Sequence, residues 1–65
     1  MNKFQRETIK ARIIRLATLM ATGSPEQLAT RFEIAERSVK RIVMEIRKEG
    51  VDIRYSRVIG SYVID

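Results

Sequence analysis

The chain contains no cysteine and no histidine. Without cysteine, neither a disulfide nor a thiolate metal site can hold the fold together. Without histidine, the usual general base at neutral pH and the commonest metal ligand are both missing. No run approaches the roughly 20 apolar residues that a bilayer-spanning helix needs. The start of the chain, Met1 through Glu7, lacks the apolar core of a secretory signal. No glycine-rich phosphate loop is present, and the eight acids are spread over helix faces and turns rather than paired within an apolar run. An enzyme is therefore not expected, nor is a cofactor, a metal, a small-molecule ligand or a membrane partner. The expected location is the cytoplasm. With 65 residues the chain makes one domain at most, over residues 1–65, and buries only about 60% of the surface it exposes when unfolded. Packed aliphatic side chains, or self-association, must supply its stability.

Positive charge is what the chain has in excess. Thirteen Lys and Arg stand against eight Asp and Glu, for a formal net charge of +5 and a pI near 10.3. An excess of this size in so small a chain favours an anionic partner. Its distribution says more than its total. Residues 1–22 carry five basic groups and one acid, residues 23–36 one basic group and three acids, and residues 37–65 seven basic groups and four acids. An acidic middle segment thus separates two positive regions.

The apolar periodicity predicts three helices and a hairpin. Ile9, Ile13, Leu16, Ala17 and Met20 recur at helical spacing, predicting a first helix over about residues 5–21 with Gly23 as its stop. Ser24, Pro25 and Gln27 form the best-marked boundary: Ser24 can cap, Pro25 suits the first helical position, and Gln27 completes a capping box. A short second helix over about 25–32 follows, burying Leu28, Ala29 and Phe32. After a break at Glu33-Ile34-Ala35, Val39, Ile42, Val43 and Ile46 make an i, i+3, i+4, i+7 stripe, predicting a third helix over about 35–49 that stops at Gly50. Arg37, Arg41 and Lys48 fall on its opposite side, with Met44 among them and Lys40 on the flank. From Ile53 the period changes to two. Ile53 and Tyr55 alternate with Arg54 and Ser56, and Tyr62 and Ile64 alternate with Ser61 and Val63. Gly60 suits the turn, so a hairpin over about 52–64 is expected to lay Ile53, Tyr55, Tyr62 and Ile64 on the first and third helices. The fold class is mainly α with a small β-hairpin, in the order α-α-α-β-β.

This layout, with the second and third helices joined by a short turn, resembles a winged helix-turn-helix. The run Leu28-Ala29-Thr30-Arg31-Phe32-Glu33-Ile34-Ala35-Glu36-Arg37-Ser38-Val39-Lys40-Arg41 is similar to the helix-turn-helix core of many bacterial repressors. Arg47 to Ile53, followed by Tyr55 and Gly60-Ser61-Tyr62, resembles that family's passage from the third helix into the wing. The junction Ala21-Thr22-Gly23-Ser24-Pro25 looks like that of short, stand-alone bacterial proteins of this type. The similarity covers about residues 9–64. Three positions depart from it. Glu33 stands where the family usually has Gly, which strains the turn if the site needs a positive φ. Ala35 replaces the usual Ser or Thr cap, a loss of about 1 kcal/mol. Val58 and Ile59 occupy the wing tip in place of glycines and basic residues.

The resemblance implies sequence-specific binding of double-stranded DNA by a small transcriptional regulator. Arg37, Lys40 and Arg41 would enter the major groove, Arg being suited to bidentate contact with guanine and Lys to phosphate. Ser38 would meet a phosphate or a base edge. Arg54 and Arg57 on the wing would clamp the flanking backbone or a minor groove. Each residue also has a plainer reading. The helix-three cations can form a solvated face with an Arg41–Glu45 pair at i+4, and the wing arginines can simply discourage strand addition at an edge. Tyr55 and Tyr62 are read as core residues. Phe4, Ile14, Leu19, Val58 and Ile59 lie off the core stripes and could together seat a second copy or another protein, and a homodimer would match a two-fold operator. The competing expectation is an adaptor that uses the winged-helix surface for protein contact without reading DNA.

Overall fold

Asn2 sets the first boundary. In the computed structural model, which describes residues 2–65, its side chain accepts from the backbone N of Gln5 at 2.8 Å, and Gln5 Oε1 accepts in return from Asn2 N at 3.3 Å. Met1, the first residue of the expected domain, lies outside the described residues. This capping box starts α1 at Lys3, so α1 spans Lys3–Thr18 rather than about 5–21. It ends early because Met20 takes the left-handed conformation, φ 54°. Met20 N then donates to Ala17 O at 3.1 Å and Ala21 N to Leu16 O at 2.9 Å, the paired bonds that close a helix C-terminus. Met20, expected on the core stripe, is 56% exposed, because the chain has already left the helix. Gly23 is therefore not the stop. It lies in the α1–α2 linker with φ +72°, where a Cβ would collide with the Gln27 side chain.

The second boundary stands where the sequence puts it. Ser24 accepts from Gln27 N, Gln27 Oε1 accepts from Ser24 N at 2.8 Å, and α2 spans Pro25–Phe32. Glu33 ends it at φ 55°, ψ 44°, the left-handed position that glycine would fill without strain. Ile34 N closes the turn onto Ala29 O at 3.0 Å. The third helix, α3, spans Glu36–Lys48, a residue shorter at each end than about 35–49. Ala35 is its cap and offers no side-chain hydrogen bond. Two strands follow, β1 at Ile53–Ser56 and β2 at Ser61–Ile64. They pair antiparallel with Ile53 opposite Ile64 and Tyr55 opposite Tyr62. The Tyr55 and Tyr62 rings meet edge to face at 5.2 Å, a favourable geometry for aromatic pairs. Three helices followed by a hairpin make a winged helix-like α-α-α-β-β layout.

The core gathers one face from every element. Ile13 and Ala17 of α1, Leu28 and Ala29 of α2, Val39, Ile42, Val43 and Ile46 of α3, and Ile53 and Tyr62 of the hairpin are buried together. Ile9, Leu16, Phe32, Tyr55 and Ile64 cover its margins, as does Ile14, which the periodicity leaves off the core.

One polar knot lies inside. Ser61, expected on the outer face of the hairpin, is 2% exposed, and Thr22 is 4% exposed. Thr22 Oγ1 accepts from Tyr62 N at 2.7 Å and sits 2.9 Å from Ser61 Oγ. Ser61 Oγ accepts from Thr22 N at 3.0 Å and donates to Tyr62 O at 2.8 Å. The α1–α2 linker thus bonds to the outer edge of β2 through two hydroxyls, where a third strand would use its backbone. A lone hairpin is marginal in water, and this contact supports its outer edge.

Two substitutions test these features by chemical denaturation. Thr22→Val keeps the shape but leaves the Tyr62 N–H without an acceptor, and should cost about 1–3 kcal/mol. Glu33→Gly should stabilise by about 1 kcal/mol by relieving the left-handed strain. A destabilised Glu33→Gly protein would contradict the turn geometry.

Candidate nucleic-acid interface

The four buried residues of α3 fix where its other side chains go. With Val39, Ile42, Val43 and Ile46 inward, Arg37, Arg41, Met44 and Lys48 fall on the outer face at about 100° per residue, and all four are exposed. No acidic residue lies among them. Arg37 and Arg41 take part in no ion pair among the described residues, and the i+4 pair expected between Arg41 and Glu45 is not formed. Glu45 turns instead to α1, where Arg6 Nε donates to it at 3.1 Å and the Arg6 guanidinium makes a second contact. One turn further on, Lys10 Nζ of α1 bonds to Glu49 and lies 3.7 Å from Glu7. Both carboxylates on that flank of α3 are therefore held by α1 cations. The result is an outer face whose only charges are positive.

The remaining expected residues are placed less uniformly. Ser38 is half-buried beside Val39. Lys40 lies on the flank, exposed and 3.7 Å from Glu36. Arg54 on β1 pairs with Asp65 at 3.0 Å, both exposed, a contact worth little in water and open to exchange. Arg57 is exposed in the β1–β2 turn, beside Val58 at 98% exposure and Ile59 at 50%. Arg47 ties the two parts together: its Nε donates to Ile53 O at 2.7 Å, fixing the start of the hairpin to the last turn of α3. Exposed Lys48 extends the basic face by one more turn. The sequence places Lys48 on this face, at i+7 from Arg41, but not among the residues expected to contact DNA.

Two titrating groups support this arrangement from within. The hydrogen bond that Lys10 donates to Glu49, with the charges of Glu49, Glu7 and Glu45, raises the Lys10 pKa above its ordinary value despite desolvation. Burial raises Tyr62, an effect that Arg47 partly opposes. In both cases the folded state binds its proton more tightly than the unfolded state. Their contribution to stability is whole below the ordinary values and is lost as pH climbs through the folded ones. No group of three or more potential metal-ligating residues occurs among the described residues, and no described helix is long and apolar enough to cross a membrane.

Compared with family models, with curated proteins and with solved structures, the chain matches none.

The melting temperature should fall as pH rises above about 10, and it should fall less steeply in Lys10→Met/Tyr62→Phe. An equal slope in the two proteins would contradict the assignment of the alkaline transition to these groups.

Proposed function

We propose that this chain binds double-stranded DNA sequence-specifically as a small transcriptional regulator. On this reading α3 enters the major groove and the β1–β2 hairpin lies on the flanking backbone. The observation that carries the reading is the sorting of charge on α3. Its outer face holds Arg37, Arg41 and Lys48 with no acid among them, while Glu45 and Glu49 are turned aside and neutralised by Arg6 and Lys10. A phosphate backbone favours such a surface through release of its condensed counterions. Arg37 and Arg41, unengaged in ion pairs, can present their guanidinium forks to guanine. Lys40, Arg54 and Arg57 add phosphate contacts, Arg54 by giving up its exposed pair with Asp65, and Ser38 contributes a hydroxyl near the helix start. The proposed location is the cytoplasm, where such a regulator meets DNA. Binding as a homodimer on a two-fold site suits a module that alone offers few contacts.

A protein-contact role is the second reading. The observation that favours it is the apolar hairpin tip, Val58 and Ile59, since a contiguous exposed apolar surface marks interaction sites.

Fluorescence anisotropy of a labelled duplex, titrated over a range of salt, separates the two. With about four or five phosphate contacts per monomer, log affinity should fall against log salt with a slope near −4, and about twice that for a dimer. Arg37→Ala and Arg41→Ala should each weaken binding while leaving the thermal unfolding curve nearly unchanged, because neither side chain is buried. A slope shallower than about −1 for folded, saturable protein would sink the DNA reading.

A further inference from the structure

A second cluster of cations lies between α1 and α2. Arg12 and Arg15 of α1 and Arg31 of α2 converge on one open hollow of about 420 Å³ whose floor is Leu16 and Phe32. No acid lines it. All three arginines are exposed and none takes part in an ion pair among the described residues, whereas Arg6, Lys10, Lys40 and Arg54 all do. Arg15 and Arg31 sit in the last turns of their helices, where the carbonyl ends offset part of the mutual repulsion. That effect steadies each residue separately and does not account for gathering three guanidinium groups around one hollow.

The direction of the cluster follows from α1. Arg6 and Lys10 mark the side of α1 that meets α3. At 3.6 residues per turn, Arg12 and Arg15 lie about 140° and about 160° around the helix from the midline of that pair. Arg12 and Arg15 therefore lie on the side of α1 turned away from its contact with α3.

We propose that the Arg12–Arg15–Arg31 hollow is a second phosphate-binding surface, one that takes the backbone of another duplex segment so that a single molecule bridges two. The proposal rests on the DNA reading for its first contact and extends it to a second. Three arginines suit phosphodiester groups, because the planar guanidinium pairs with phosphate oxygens in a bidentate manner. The hollow is shallow, and its floor offers only two half-buried side chains. A peptide gains little apolar burial there, whereas a phosphodiester strand brings a charge with every nucleotide.

Three proteins decide it: wild type, Arg37→Ala/Arg41→Ala, and Arg12→Ala/Arg15→Ala/Arg31→Ala. Each is titrated against a short labelled duplex and then assayed for capture of a free labelled duplex onto a bead-tethered one. Sedimentation in parallel identifies any bridging that comes from a dimer. The arginine-cluster variant should bind a single duplex within about threefold of wild type and lose bridging by about tenfold or more, the direct effect of removing three phosphate contacts. If that variant unfolds, Arg15→Gln/Arg31→Gln serves in its place. Wild-type protein that binds one duplex and never bridges overturns the proposal, as does a cluster variant that bridges like wild type. So does a hollow that binds poly-glutamate in preference to duplex. If the α3 variant binds and bridges as wild type does while the cluster variant loses both, the cluster stands and the α3 reading falls.

Discussion

The burial of one face of α3 governs this molecule. Val39, Ile42, Val43 and Ile46 are at most 3% exposed, and they meet side chains from both other helices and from the hairpin. In a chain with no disulfide and a small core, these four contacts are a large part of what offsets chain entropy. Their register has a geometric consequence. Once that stripe is inside, Arg37, Arg41, Met44 and Lys48 have only solvent to face. The basic outer surface is thus fixed by the same packing that folds the chain, and no separate device is needed to display it.

Electrostatics completes what packing begins. Left facing outward, Glu45 and Glu49 would place negative charge along the flank of the basic face. Arg6 and Lys10 hold them against α1, so the pairs join α1 to α3 and remove that repulsion together. Arg47 does comparable work on the opposite flank by bonding to Ile53 O, and the Thr22–Ser61 hydroxyls hold the far edge of the hairpin. Four separate polar contacts therefore fix the orientation of α3, α1 and the hairpin around one aliphatic core.

Much of this was legible in the residues. The stripe of α3, the Ser24–Gln27 cap and the alternation at Ile53–Tyr55 and Tyr62–Ile64 are local patterns, and local patterns are what periodicity reads. The start of α1 was legible too, since Asn2 and Gln5 form the same kind of box as Ser24 and Gln27, but the apolar stripe drew the boundary further in. The early end of α1 was not, because Met20 is a rare occupant of the left-handed region and Gly23 nearby is the expected one. Glu33 adopts the positive φ for which the family resemblance raised the question. Partners far apart in sequence left no local trace. Arg6–Glu45, Lys10–Glu49 and Thr22–Ser61 each span 39 residues, so Arg41 appeared to be the natural partner of Glu45 and Ser61 an outward-facing strand residue. The gathering of Arg12, Arg15 and Arg31 is of the same kind, since it exists only once α2 lies along α1.

The central claim is that the outer face of α3 is the surface that meets DNA. Titrating isotope-labelled protein with a duplex and following its amide and arginine side-chain NMR resonances tests this most directly. The account predicts that the largest shifts fall on Arg37, Ser38, Arg41 and Met44, with Arg54 and Arg57 next, while the buried Val39 and Ile46 amides move little. Saturable binding that leaves the Arg37 and Arg41 guanidinium resonances unmoved would contradict it.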